Sequence, residues 1–211
     1  MMKPVLVLAS MLLTACSVLP DAPKVALHDP VTHFAAIKDP QPVNWSLSLA
    51  RTQVSGPLAT PSILVRPTPD QIEVYPAAQW SEPPAVLLEH ALMQALEADG
   101  RIVAISRVGT GLSHDFELEG QLRAFQMDVH AAPTAVLRVK YDLIGVRDGR
   151  VLASRVFEHE QPADGRSVEA AVSALTASLE SLMPQVVAWV VAQGQAAHEA
   201  AEVGAESASD A

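Results

Sequence analysis

Cysteine is nearly absent from the chain, since Cys16 is the only one among 211 residues. No intramolecular disulfide can therefore form, even in an oxidising compartment. A structural zinc site built on several thiolates is excluded for the same reason. The fold must depend on packing.

Basic residues are also few, with 14 Lys and Arg against 24 Asp and Glu, for a formal net charge of −10. Nucleic acid is bound through basic patches that neutralise phosphates. The composition therefore argues against a nucleic-acid partner.

The chain starts with an apolar run that is too short to cross a membrane. The apolar run of residues 5–13 would span about 14 Å as a helix, against about 30 Å for a hydrocarbon core. Lys3 precedes this run, and the small residues Thr14 and Ala15 follow it. This order is typical of a secretory signal peptide, predicted at 1–15 and removed in the mature protein.

The four residues Leu13-Thr14-Ala15-Cys16 resemble the bacterial lipobox, in which the cysteine is acylated and becomes the new N-terminus. The alternative is an ordinary signal peptide with a chance cysteine. Stable anchoring needs more than one acyl chain, which lipoprotein acylation supplies. We therefore expect Cys16 to be a lipid anchor rather than a nucleophile, and we expect no cofactor besides its acyl chains. The mature chain lies outside the cytoplasm and, without Lys3, its net charge changes from −10 to −11.

Composition divides the mature chain into three parts. Residues 16–42 hold the lipidated cysteine and five prolines, which predict a flexible tether, or a segment that packs in part on the domain. Residues 43–193 are long enough for one domain with its own core. Residues 194–211 are rich in alanine, with four acids and no base, and are predicted to be a disordered tail.

Alternating apolar and polar residues predict the strands of this domain. The sequence Asp148-Gly149 predicts a tight hairpin turn. The alternation changes phase near Ala124, which indicates a β-bulge or a change of environment. The predicted strands are 45–49, 62–65, 72–75 (ended by Pro76), 102–105, 116–129, 135–143 and 151–158.

Two segments have the apolar spacing of amphipathic helices. The first is predicted over 82–99, with Ser81 as N-cap and Gly100 as C-cap. The second follows Gly165 with Ser167 as cap, and Pro184 predicts a kink or two helices that meet there. The fold class is therefore α/β, a mixed sheet with two main helices packed on it. The strand order stays open.

Catalytic and metal-binding motifs are lacking. None of the seven histidines forms an HExxH motif or an i, i+4 helical pair. The run of residues 109–115, Gly-Thr-Gly-Leu-Ser-His-Asp, lacks a nucleophile elbow and is predicted to be a loop. Glu158, His159 and Glu160 would alternate between the faces of a strand. An enzyme is the weaker class of function.

A resemblance rests on the segment that leads into the first helix. Arg66 ends a short strand, Tyr75 lies in the next, and Trp80, Glu82 and Pro83 form a Trp-x-Glu-Pro helix start. Together with the lipobox, these residues resemble the ABC-type transport auxiliary lipoprotein family, which includes the paraquat-inducible lipoprotein of MCE systems. The likeness covers residues 43–193 in the order of elements. The five matched residues also have a structural explanation: Trp80 and Tyr75 would bury against the sheet, and Glu82 and Pro83 suit a first helical turn.

The resemblance implies a non-enzymatic lipoprotein at the periplasmic face of the outer membrane. Its implied partners are an MCE-domain tunnel protein and the inner-membrane transporter components of that system, and its implied role is lipid transport between the two membranes. Ser17 after the cysteine fits outer-membrane sorting. Assembly of several copies of the chain stays open.

Two other functions stay open on the sequence. One is an envelope lipoprotein that regulates a periplasmic enzyme such as a peptidoglycan synthase. The other is a soluble lipid carrier, which would need an enclosed apolar cavity.

Overall fold

Eight strands form one mixed sheet, and two helices pack on it, in a computed structural model that describes residues 24–209. Cys16 and the predicted signal peptide lie outside the described residues. The predicted fold class is confirmed. In chain order the elements are β1 (Ala26–His28), β2 (Leu47–Leu49), a 3₁₀ turn (Gly56–Ala59), β3 (Ser62–Arg66), β4 (Glu73–Trp80), α1 (Pro84–Asp99), β5 (Ile105–Arg107), β6 (Phe116–Asp128), β7 (Thr134–Gly145), β8 (Arg150–Pro162) and α2 (Val168–Ser209).

Strand β6 organises the sheet. It pairs antiparallel with β7 along its whole length, and β7 pairs antiparallel with β8. Since β7 occupies one edge of β6, the parallel strands β2 and β3 must share the other edge. Strand β2 pairs with residues 116–118 and β3 with residues 126–128. The sheet then continues from β3 to β4 and β1 on one side, and from β2 to β5 on the other.

One face of the sheet carries the core. The odd-numbered residues of β7 from 135 to 143 face the helices and are at most 2% exposed. Full burial of such side chains contributes about 1.5–3 kcal/mol each. Helix α2 contacts β6, β7 and β8 on this face and also packs against α1. The predicted one-sided strand is confirmed by Ala135, Leu137, Val139, Tyr141 and Leu143.

Local sequence signals set several turns and caps as predicted. Gly149 has a φ of +67° in the hairpin between β7 and β8, as expected for an Asp-Gly turn. The register between β6 and β7 shifts between Leu122 and Ala124, which confirms the bulge. Gly100 ends α1 with a φ of +70°, and the Ser167 hydroxyl accepts a hydrogen bond from the Ala170 N–H at 3.2 Å.

Helix α2 is longer and more buried than the sequence predicted. It runs through Pro184 as one helix, so the two-helix alternative is wrong. By length and composition, residues 168–204 are apolar enough to cross a membrane, but 56% of the most apolar window is buried in the molecule. This burial is typical of the core helix of a globular domain.

The segment of residues 24–42 is part of the domain, which corrects the predicted tether over its described part. Strand β1 pairs with β4. The His33 N–H then donates to Glu180 Oε1 at 2.8 Å, and the Ile37 N–H donates to the Ala98 carbonyl at 3.1 Å. A three-residue strand has no periodicity to detect, so the packed alternative could not be chosen from sequence.

The predicted disordered tail is helical as far as Ser209. Alanine has the highest helix propensity, and i, i+4 pairs support the extension. Gln195 Nε2 donates to Glu199 Oε1 at 2.8 Å, and His198 Nε2 lies 3.5 Å from Glu202 Oε1. The acidic composition without bases predicted disorder. These i, i+4 contacts, and packing of Trp45 on the helix at Gly194, stabilise the helical conformation instead.

Three predicted element boundaries are also corrected. Strand β4 continues through Pro76 to Trp80 because a register shift opposite β3 accommodates the proline. Helix α1 begins at Pro84, and the Ser81 hydroxyl donates to Asp29 Oδ1 at 2.8 Å instead of capping it. Strand β5 begins at Ile105, three residues later than expected.

Candidate functional site

The five residues that carry the family resemblance occupy different environments. Trp80 is 1% exposed and lies 5.4 Å from Phe125 between ring centroids. The half-buried Tyr75 donates its hydroxyl to the Arg166 carbonyl at 3.1 Å, and burial raises the pKa of its phenol. These two residues tie β4 to β6 and to the start of α2, as a structural role requires.

Glu82 and Pro83 precede α1 rather than forming its first turn. Glu82 is exposed. Pro83 occupies the N-cap position without a side-chain cap, and its carbonyl accepts the Val86 N–H at 2.8 Å. Both residues therefore shape the entry into the helix.

Arg66 differs from the other four because it lines a cavity. This arginine cavity has a volume of about 450 Å³ and opens between the 53–58 segment, β3 and β6. Its charged lining residues are Arg66 and Arg123, and it has no acidic lining residue among those described. The rest of the wall consists of amide side chains, Gln53, Gln121 and Gln126, and apolar ones, Val54, Pro57, Leu58, Leu64, Ile72 and Leu122, together with Ser55.

Strand pairing explains why the arginine cavity exists. Strands β2 and β3 share one edge of β6. On this edge Gln121 of β6 pairs with Gln53, and the next paired residue of β6 is Gln126, which pairs with Leu64 of β3. Residues 123–125 between these points have no strand partner on that edge in the described part of the chain. Arg123 is also the extra residue of the β6–β7 bulge. Bulges commonly re-aim a side chain in this way.

A second cavity of about 650 Å³, the hairpin cavity, lies where the β7–β8 turn meets the C-terminal half of α2. Its lining has the opposite charge balance, with three acids and one arginine besides two histidines. The acids are Asp115, Asp148 and Glu202, the arginine is Arg147, and the histidines are His114 and His198.

Asp115 fixes the loop beside the hairpin cavity. Its Oδ2 accepts hydrogen bonds from the Ser46 N–H at 2.8 Å and from the Ser46 hydroxyl at 2.7 Å. Burial alone would raise the pKa of this carboxyl, but the two bonds from Ser46 and the nearby histidines outweigh it and lower the pKa. The 109–115 run is a loop, as predicted, and Asp115 attaches it to Ser46 directly before β2.

A buried polar cluster under α1 was missed by the sequence reasoning. Glu89 accepts the Thr52 N–H at 2.6 Å and Arg107 Nη1 at 3.0 Å. The Tyr141 hydroxyl is buried without a hydrogen-bond partner among residues 24–204, and burial, followed by the charge of Glu89, raises its pKa. The available signal was the position of Glu89, which falls between Leu88 and Leu92 on the apolar stripe of the helix.

The three residues Glu158, His159 and Glu160, considered above as catalytic candidates, do not come together as a site. Glu158 is exposed and pairs with Arg138 across the β7–β8 ladder. His159 contacts Gln161 at 3.4 Å on the opposite face. Within residues 24–209, no three His, Cys, Asp or Glu side chains are grouped to hold a metal ion.

The fold has close structural relatives. Protein XCC0632 from Xanthomonas campestris matches with a TM-score of 0.77 and 27% identity, covering 83% of this chain and 99% of that one. A crystal structure of an uncharacterized protein matches with a TM-score of 0.62 and 14% identity, covering 79% and 99%. No curated protein matches the chain.

The family model for the ABC-type transport auxiliary lipoprotein component matches residues 27–187. This match begins in β1 and ends inside α2, so it covers the sheet and α1, including the segment that the sequence had assigned to a tether. Arg66, Tyr75 and Trp80, in β3 and β4, lie within the matched range. The chain belongs to the family of ABC-type transport auxiliary lipoprotein components.

Proposed function

We propose that this protein is a non-enzymatic outer-membrane lipoprotein that serves an MCE-type, ABC-driven system for lipid transport between the inner and outer membranes. Acyl chains on Cys16 anchor it to the periplasmic face of the outer membrane. The domain contacts an MCE-domain tunnel protein, which connects to the inner-membrane transporter components.

The observation that carries this proposal is the family match over residues 27–187. The predicted signal peptide and the resemblance of residues 13–16 to a lipobox support it. An auxiliary role without catalysis agrees with the polar residues of the domain. Asp115, Glu89 and Glu158 each have a structural partner. None of them forms a nucleophile–base pair of the kind that acyl or phosphoryl transfer requires.

The first test is partner capture from crosslinked cells. The acylated full-length chain is recovered by an affinity tag, and its partners are identified by mass spectrometry beside a Cys16→Ala control. Recovery of an MCE-domain protein is expected with the acylated chain and reduced with the control. Recovery of a peptidoglycan synthase without an MCE protein would overturn the proposal in favour of an enzyme regulator.

The anchor is tested separately by membrane fractionation and intact mass. The wild-type chain is expected in outer-membrane fractions, with a mass that includes acyl chains on Cys16. The Cys16→Ala variant is expected in the soluble periplasmic fraction. A wild-type chain that is cleaved without acylation would contradict the lipobox assignment.

A further inference from the structure

We infer that the arginine cavity binds the headgroup region of an anionic phospholipid, with the phosphate on Arg66 and Arg123 and the adjoining apolar atoms on the cavity wall. This inference rests on the proposed lipid-transport function and names the class of lipid and its site. It begins from Arg66, the one family-motif residue that lines a cavity.

The charge of the cavity selects the ligand. The protein has a formal net charge of −10, yet both charged residues in this lining are arginines. The hairpin cavity, with its three acids, would repel an anion. Two carboxylates lie near the arginines without lining the cavity. Asp128, which pairs opposite Arg66, accepts Gln126 Nε2 at 2.8 Å. Asp142, which is near enough to Arg123 to interact with its charge, accepts Lys140 Nζ at 2.6 Å.

Both guanidinium groups keep donors for a ligand. Arg66 Nη1 donates to the Pro69 carbonyl at 2.6 Å, while its Nε is buried and has no hydrogen-bond partner among the described residues. Arg123 donates through Nε and Nη2 to the single oxygen Gln121 Oε1, at 3.1 and 3.0 Å. Neither arginine forms an ion pair in the described part of the chain. Because a guanidinium carries five N–H donors in a planar fork, it suits phosphate oxygens.

The remaining wall suits an amphiphile rather than a free anion. Leu58, Leu64 and Leu122 are buried behind the opening, and Ile72 is 42% exposed at its side. A site for inorganic phosphate would need only polar donors, whereas this one places apolar atoms next to the charged groups. A volume of about 450 Å³ lies in the usual range for a small ligand or part of a larger one. The cavity would therefore take a headgroup and the first part of its chains.

The test is photo-crosslinking of the acylated full-length protein, reconstituted in phosphatidylcholine vesicles. One sample contains a small fraction of photoactivatable phosphatidylglycerol, and the other the same fraction of photoactivatable phosphatidylcholine. Lipid adducts are mapped by peptide mass spectrometry. We expect adducts from phosphatidylglycerol, and few from phosphatidylcholine, on the peptides that contain residues 53–58 or 121–126.

The matched variants separate the site from general charge. Arg66→Gln combined with Arg123→Gln should lower the adduct yield by roughly tenfold or more, because both guanidinium groups and their charge-assisted hydrogen bonds to the phosphate are lost. Arg150→Gln combined with Arg155→Gln removes the same two charges from exposed positions of β8 and should leave the yield unchanged. If the double variant is unfolded by circular dichroism, Arg123→Gln alone is used, because Arg123 is exposed at a bulge.

Three results would overturn the inference. Equal labelling by both lipids would exclude recognition of the anionic headgroup. Loss of the adduct when inorganic phosphate is added at the lipid concentration would show that the ligand is a free anion. If the arginine variants are labelled as strongly as wild type, the lipid binds somewhere other than the arginine cavity.

A further experiment tests the proposed transport function independently of the proposed lipid site. Partner capture is repeated with the double arginine variant. If an MCE-domain protein is recovered with wild type and with this variant, but wild type gives no phosphatidylglycerol adduct, the transport role stands and the lipid site is wrong. If wild type shows no lipid adduct and the double variant no longer recovers the MCE-domain protein, the arginines belong to a protein contact. That result also overturns the lipid site.

Discussion

At the scale of single residues, close approach of the chain to itself explains why Gly194 lies inside a long helix. A Cβ built at Gly194 would lie 2.5 Å from Trp45 Cζ2 and 2.6 Å from Trp45 Cη2. The indole N–H of Trp45 also donates to Gln195 Oε1 at 3.3 Å. The glycine therefore lets the indole rest on the helix backbone, which fixes the segment before β2 against the end of α2.

We expect Gly194→Ala to lower the free energy of unfolding by about 1–3 kcal/mol, the usual cost of overpacking. The control is Gly204→Ala on the same helix, where a new Cβ would have no heavy atom within 4 Å. That change should be neutral or stabilise the helix by up to about 1 kcal/mol. Urea unfolding midpoints of the two variants measure the difference. Equal midpoints would contradict the packing argument.

The buried carboxylate under α1 gives a second prediction at this scale. Glu89→Gln keeps the shape but removes the charge that accepts Arg107 Nη1 and the Thr52 N–H. The glutamine amide offers one acceptor oxygen where the carboxylate offers two, so one of these hydrogen bonds to a mostly buried side chain is lost. A lost hydrogen bond of this kind costs about 1–3 kcal/mol, and the variant should unfold at lower urea concentration. Glu97→Gln, at an exposed position of the same helix, is the matched control and should change little. A variant Glu89→Gln as stable as wild type would mean that this cluster contributes nothing to stability.

At the scale of secondary-structure elements, the sequence correctly predicts the features that depend on residues close together in the chain. The alternation of β7, the Asp-Gly turn, the bulge near Ala124 and the Gly100 cap each follow from a few neighbouring residues. Strand β1 and the packing of residues 29–42 depend on partners far along the chain, such as Ala98 and Glu180. Contacts of that range leave no periodicity in a single sequence, so the sequence could not distinguish a tether from a packed segment.

The same reasoning applies to the candidate site. The family pattern singles out Arg66, whereas Arg123 lies within the predicted strand 116–129 and no sequence signal singles it out. Its place in the arginine cavity depends on the bulge and on the gap between β2 and β3. The bulge was predicted from the change of phase, whereas the gap requires knowing the strand order.

The loop that precedes β6 should be sensitive to acid because Asp115 attaches it to β2. Hydrogen bonds from Ser46 lower the pKa of Asp115 despite its partial burial. A carboxyl with a lowered pKa stabilises the folded state above its unfolded pKa, and this contribution is lost as the pH falls through the folded pKa. We therefore expect the loop to lose protection from hydrogen exchange below the ordinary carboxyl range.

Asp115→Asn removes the titrating group, so its stability should depend less on pH between neutral pH and about pH 3 than that of wild type. The exposed Asp164→Asn should keep the wild-type pH dependence. The measurement is the urea midpoint of each protein as a function of pH. Parallel pH curves for wild type and Asp115→Asn would contradict the assigned role.

At the scale of the whole molecule, the packed N-terminal segment changes how far the domain can stand from a membrane. The sequence had assigned residues 16–42 to a spacer, but β1 begins at Ala26 and pairs with β4. With Cys16 acylated, as proposed, only the chain between Cys16 and Lys24 connects the lipid to the described domain. Eight residues extend to at most about 28 Å. In the proposed assembly the domain must then lie near the membrane that holds the lipid anchor, and the proposed tunnel partner must supply most of the distance across the periplasm.

Neutron reflectometry of the acylated protein on a supported bilayer tests this geometry. We expect protein density to begin within about 28 Å of the headgroups, the limit set by an extended chain. Insertion of a long Gly/Ser stretch between Pro20 and Asp21 should move the density outward, because such linkers are flexible coils. The same insertion after Pro42 should not, because residues 24–42 are attached to the domain through Glu180 and Ala98. Outward movement of the density with the second insertion would mean that the segment releases from the domain in the native protein.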